Sequence, residues 1–258
     1  MSAPKSITCP SGLRGVVRGL KVKEANLLAD NSAAKRNTSF ESVLKGIWTE
    51  TEDAGPYEEP LDWSRVLVCD RFFIMLQSRI ITYGSEYLFP VQCTESSCRH
   101  RFEWQEDLSA LSIRALSEDS LMEFQSGNKF STTTSAGVRV AFKLMTGADE
   151  VRASKLAARS RSSLMTTALA ARIVSIEGVE ANNKSTWIEN LGMDEVRDLL
   201  DLLDAVDGGV ETSVEIECPA CLNVMDLDLP FGREFYLPRL KSRMARKDKA
   251  AQAKEEQA

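Results

Sequence analysis

Histidine is nearly absent from this chain: His100 is the one copy in 258 residues. Ser-His and Cys-His nucleophile pairs therefore have a single candidate base. A basic surplus is also missing. Thirty-two Lys and Arg against 38 Asp and Glu give a net charge of −6 and a pI near 5.1, which leaves no electrostatic footprint for a phosphate backbone. Neither standard Gly-rich phosphate loop occurs. No stretch reaches the roughly 18 continuous apolar residues of a membrane span. The most apolar run, Phe72 to Leu76, is broken by Asp70, Arg71, Gln77 and Arg79. Met1 to Ser11 lacks the basic-then-apolar pattern of a secretion signal. These absences predict a soluble chain with no membrane partner, folded in a reducing cytoplasm. There, six cysteines point to metal binding or burial rather than to disulfides. The length exceeds a typical domain of about 100 to 150 residues, so two structural units are expected, and 43% hydrophobic content suffices for a core.

What is present is a pattern of cysteines. Cys218-Pro219-Ala220-Cys221 lies between the alternating runs Thr212–Glu217 and Leu222–Leu227. This reads as half a zinc ribbon, a strand, a tight knuckle and a strand. Cys93 and Cys98, with four residues between them, lie between the extended-looking Tyr87–Val91 and Arg101–Trp104. The spacing is at the wide end, but two knuckles make a four-thiolate structural zinc site the economical reading. His100 is an alternative ligand in place of Cys98. A thioredoxin-like redox motif requires a CxxC that opens a helix, and neither pair is followed by a helical pattern. Cys69 shares an apolar stripe with Val66, Phe73, Leu76 and Ile80 and reads as a small buried hydrophobe. Cys9, before Pro10 in an expected hairpin, has no assigned role.

About 120 residues separate the two knuckles, far more than in a compact zinc finger, which prompts a search for an internal repeat. Ser11–Arg18 resembles Ser135–Lys143, each a turn feeding an alternating strand, at an offset of about 124 positions. The knuckles keep nearly the same offset. Helices are expected over Val22–Lys35, Phe40–Glu50 and Asp62–Thr82, the last ending at Gly84. A second set is expected from Thr146-Gly147-Ala148-Asp149, a capping box, to Ile176, and over Asp194–Val206, ending at Gly208-Gly209. The expected fold class is α+β, an internally duplicated unit of β-hairpin, helices and strand–knuckle–strand that shares one zinc-ribbon-like site. Residues 1–108 form the first repeat, 109–127 a polar, acidic linker, 128–237 the second repeat, and 238–258 a charged tail. The tail reads as a solvated segment, or as a peptide that orders against a neighbouring subunit.

Carboxylates such as Asp194, Asp198, Asp201 and Asp204 fall where a solvated helix face puts them. Arg159–Ser163 reads as an exposed helix face rather than a phosphate site. No catalytic residues are identified, and the chain is read as non-enzymatic.

The order of several segments resembles the baseplate hub subunit family of contractile-tailed (T-even-like) bacteriophages. The segments are Pro10-Ser11-Gly12, Arg79–Tyr87 before the first knuckle, Leu144–Glu150, Arg172–Gly178, and the ending Cys-Pro-x-Cys followed by Asp228–Gly232. The resemblance spans Pro10 to about Pro238, and its cysteine motifs fall at Cys93, Cys98, Cys218 and Cys221, with a first knuckle wider than the family pattern. It implies a component of the virion tail baseplate, made in the host cytoplasm, that contacts other tail proteins or further copies of itself, without chemistry of its own. An assembly factor that leaves before maturation is the alternative. A zinc-ribbon nucleic-acid binder is a distant one. Arg99, His100, Arg101, Phe102 and Trp104 favour it slightly, and Glu211, Glu215, Glu217, Asp226 and Asp228 oppose it.

Overall fold

The described chain opens on a short hairpin. Strands β1 (Lys5–Thr8) and β2 (Arg14–Val17) pair antiparallel around Pro10-Ser11-Gly12, where Gly12 takes a φ of 92° that a side-chain-bearing residue would adopt only with strain. Two helices follow, α1 (Val22–Ala29) and α2 (Ala33–Ile47). Strand β3 (Trp48–Asp53) then returns to pair with β2, giving the order β1-β2-β3. Ile7, Leu13, Val17, Leu44 and Ile47 point inward as the first core. The computed structural model describes residues 3–29, 33–159 and 164–237.

Helix α3 (Val68–Tyr83) is buried at nine positions between Asp70 and Arg79, more than one amphipathic face supplies. It lies centrally. Phe73, Ile74 and Met75 enter the first core, and Leu76 enters another. It stops at Gly84, whose N–H reaches the Ile80 carbonyl. Strands β4 (Glu86–Gln92) and β5 (Arg101–Asp107) then form a hairpin of seven rungs.

Between the halves come β6 (Ile113–Arg114) and α4 (Glu118–Gln125), the latter capped by the Ser117 hydroxyl, which accepts from the Ser120 N–H. The segment expected as a plain linker therefore carries structure of its own, with Leu116 and Ser120 buried. Strands β7 (Phe130–Thr133) and β8 (Arg139–Phe142), helices α5 (Gly147–Arg159) and α6 (Leu164–Arg172), and strand β9 (Ile173–Ile176) follow, with the sheet ordered β7-β8-β9. After a 3-10 turn come α7 (Lys184–Glu189) and α8 (Met193–Val206), with Val196 and Leu203 of α8 in a second core beside Phe142 and Leu169. Strand β10 (Gly209–Val210) pairs with β6. Strands β11 (Ser213–Glu217) and β12 (Val224–Asp228) pair with each other, and α9 (Arg233–Tyr236) closes the described chain.

The architecture is mixed α+β with small antiparallel sheets, as expected. Several boundaries differ. The helix expected from Asp62 begins at Val68, because residues 64–67 pair with residues 145–148 instead. Trp48–Glu50, expected to end a helix, is the start of β3, where β2 offers a pairing edge. The long helix expected to Ile176 is two helices, and residues 173–176 are a strand for the same reason. Of the first expected helix, Val22–Ala29 is helical, residues 30–32 lie outside the described residues, and residues 33–35 belong to α2, which begins ahead of the expected Phe40. The Arg159–Ser163 face and the tail from Pro238 lie outside the described residues, apart from the backbone of Arg159. Among the described residues no helix is long and apolar enough to cross a membrane.

The halves meet at a tight seam. The Val68 N–H donates to Met145 at 2.8 Å, Gly147 N–H to Val66 at 3.0 Å, and Ala148 N–H to Ser64 at 2.7 Å. A Cβ on Gly147 would stand 2.8 Å from the Trp63 carbonyl oxygen and closer still to the Arg71 guanidinium, so only glycine fits.

Candidate metal centre

Each knuckle is held open by its own hairpin. In the first, the Cys93 N–H donates to the His100 carbonyl at 2.9 Å, and the N–H groups of Cys98 and Arg99 both donate to Glu95. In the second, Cys218 N–H donates to Asn223 at 3.0 Å and Leu222 N–H donates back to Cys218 at 2.8 Å. The residue after each second cysteine turns left-handed, Arg99 at φ 47° and Leu222 at φ 60°. The two extra residues of the first knuckle are absorbed before this turn, so the wide spacing leaves the thiols able to converge.

They do converge. The four Sγ atoms of Cys93, Cys98, Cys218 and Cys221 lie within 4.8 Å of one another. Cys93 and Cys221 stand 3.6 Å apart, and Cys98 and Cys218 stand 3.9 Å apart, so each close pair crosses from one half to the other. Four thiolates at about 2.3 Å from a central ion form a tetrahedron with edges of about 3.8 Å. The cluster could hold a metal ion. His100 is not in it; its ring stacks on Phe102, 5.9 Å between centroids. The Asn223 side-chain amide also reaches Thr94 across the two knuckles, at 3.5 Å.

The thiols differ in acidity. Burial opposes ionisation at Cys218, but the N–H groups of Ala220 and Cys221 outweigh it and draw the thiol down to about 7. Burial pushes Cys93 up to about 12 in the thiol form. Cys93 and Cys218 are buried, and Cys221 is exposed. A third core supports the site from beneath. Tyr87, Phe89 and Val91 of β4 meet Ile216 of β11 and Met225 of β12 there, with Leu76 and Phe235. Neither hairpin could bury this face alone.

Cys9 is buried, as its neighbour Cys69 is in part, and burial followed by the nearby Asp70 carboxylate pushes both thiols up. Neither belongs to the cluster. One polar group had no sequence signal beyond its interruption of the apolar run. Asp70 is fully buried and accepts from the Ser11 N–H at 3.0 Å, the Ser11 hydroxyl, and the Tyr57 hydroxyl at 2.6 Å. Burial raises its carboxyl above the ordinary range in spite of these donors. It ties the first hairpin turn to α3, so its role is to position the fold.

Fold and site together define a class, an α+β chain whose two halves contribute paired cysteines to one candidate metal centre. No protein-family model, curated protein or solved structure matches the chain.

Proposed function

We propose that this chain is a non-catalytic structural adaptor of a contractile phage tail baseplate, in its hub region, built from two copies of one unit and stapled by a structural zinc ion. The observation that carries the staple is the crossing of the close sulfur pairs between halves. Four thiolates complete a tetrahedron and leave no position for a reacting water, the arrangement of structural rather than catalytic zinc. Binding of zinc to small peptides contributes about 10 to 16 kcal/mol, comparable to the whole stability of a domain at about 5 to 15 kcal/mol.

Duplication is supported by register. Corresponding elements begin 125 positions apart: 5 and 130, 14 and 139, 22 and 147, 48 and 173, 68 and 193. Hydrogen bonds repeat at the same interval. Cys9 N–H to Leu13 is matched by Thr134 N–H to Val138, and Arg18 N–H to Ile47 by Lys143 N–H to Arg172. Even the buried carboxylates correspond, Glu24 beside Arg18 and Asp149 beside Lys143.

The baseplate assignment rests on the order of segments that resembles the hub family. Quantitative peptide mass spectrometry on purified, intact phage particles tests it. A fixed few copies beside tail proteins is the expected result. Abundance in infected-cell lysate with absence from particles would replace it with the assembly-factor reading.

A further inference from the structure

The hairpin of the second knuckle carries an outer face of unusual charge, whose acids have no ion-pair partner among the described residues. Glu215 stands directly opposite Asp226 in the register, with Glu217 and Asp228 on neighbouring rungs. All four are exposed, and none forms a salt bridge with a described residue. Like charges placed opposite each other destabilise a strand pair. The matching positions of the first hairpin are mixed, with Leu88 opposite Gln105, Pro90 opposite Glu103 and Gln92 opposite Arg101. At the knuckle end, Val224, opposite Glu217 on this face, is 59% exposed, and Leu222 in the adjoining turn is 68% exposed. The positive φ of Leu222 belongs to the knuckle turn, as at Arg99, and the two exposed apolar side chains add apolar surface at that end of the hairpin.

The chain itself contains the complementary chemistry. Residues 238–258, outside the described residues, hold seven lysines and arginines against three acids, a charge of +4, so residues 1–237 carry −10 of the overall −6. Its basic residues at 239, 241 and 243 alternate with Leu240, Ser242 and Met244. Apolar and cationic groups therefore come together, as Leu222, Val224 and the four carboxylates do on the hairpin. The last described helix, α9, places Phe235 and Tyr236 against the same core as the hairpin. A segment tethered there meets this face at high effective concentration, and 21 residues reach far beyond it at about 3.3 Å each.

We propose that the outer face of β11–β12 is the docking site of the chain's own C-terminal segment. The acids of α8 are the competing surface, but Asp194 and Glu195 already sit at a helix N-terminus that favours them, Asp204 is paired with Arg114, and the two that remain, Asp198 and Asp201, are fewer than the four on the hairpin.

Zero-length carbodiimide cross-linking of the full chain at low salt, read by peptide mass spectrometry on a mixture of isotope-labelled and unlabelled protein, tests this. The expected links join Lys241, Lys247 or Lys249 to Glu215, Glu217, Asp226 or Asp228 within one chain. They should fall at least about fivefold near 1 M salt, where the screening length is about 3 Å. In Glu215→Gln/Asp226→Asn protein the remaining links to Glu217 and Asp228 should fall as well. Tail links spread equally over α8, links mainly between chains, or no tail links would overturn it. None of these outcomes bears on the metal centre or on the baseplate assignment.

Discussion

The Sγ of Cys93 stands 3.6 Å from the Sγ of Cys221, although 128 positions of chain separate them. Neither hairpin alone can satisfy that contact, and the third core beneath it draws on both halves. If one ion occupies the cluster, removing it removes the tie between them. Cys218→Ser protein, and wild-type protein held with a strong chelator, should each lose several kcal/mol of stability. Hydrogen exchange should show β4, β5, β11 and β12 losing protection first, ahead of the sheets β1-β2-β3 and β7-β8-β9. Unchanged melting in both samples would count against a metal staple.

The seam between the halves depends on a missing side chain. Gly147→Val should cost about 3 kcal/mol or more, because the new Cβ meets the Trp63 carbonyl at 2.8 Å and has no room to yield. The position 125 residues earlier is Val22, which is 77% exposed. Val22→Gly is expected to cost no more than about 1 kcal/mol. Paired chemical denaturation of the two variants separates a steric seam from a general intolerance of change.

Tyr57 donates to Asp70 and accepts from the Leu67 N–H at 3.2 Å. Tyr57→Phe should destabilise by about 1 to 3 kcal/mol at neutral pH, the cost of leaving a buried acceptor short of a donor. The loss should shrink on acidification. Burial already raises the Asp70 carboxyl in the folded chain, so folding favours its protonated form. That contribution is fully present below the unfolded value near 3.9 and is lost as pH rises through the folded value. Removing a donor raises the folded value further, so the difference between variant and wild type grows with pH. A pH-independent difference would contradict this account of Asp70.

Asp149 has the opposite sign. Burial works against its charge, but donors from Lys143, Arg152 and the Thr146 backbone outweigh it and hold the carboxyl below the ordinary range. Its contribution is present above about pH 4 and is lost as pH falls through the lowered folded value. Asp149→Asn should therefore cost about 1 to 3 kcal/mol at pH 7 and little at pH 2 to 3, as measured by urea denaturation at each pH. Glu24, held low by Arg18 and the Lys21 N–H against burial, should respond in the same direction when changed to Gln.

The four-cysteine cluster was legible because its grammar is local. A close cysteine pair between alternating runs specifies strand, knuckle and strand, and both the CxxC and the wider Cys93–Cys98 pair took that form. The expected hairpin at Pro10-Ser11-Gly12 also formed, since a turn needing positive φ is written in its glycine. The missed boundaries were decided by partners far away in sequence. Trp48–Glu50 and Ile173–Ile176 continue helical patterns but find a free strand edge, and pairing there outweighs propensity. Residues 64–67 are drawn out of α3 by the seam around Gly147. The Asp70 network left no trace in periodicity, because a single acid within an apolar run reads as an interruption until its donors are placed beside it.

The most direct test of the central claim is X-ray absorption at the zinc edge on the purified full chain, with metal content measured in the same sample. The expected result is one zinc per chain with a first shell of four sulfurs at about 2.3 Å. A substoichiometric metal, or a shell containing nitrogen or oxygen, would contradict a four-cysteine zinc staple formed by Cys93, Cys98, Cys218 and Cys221.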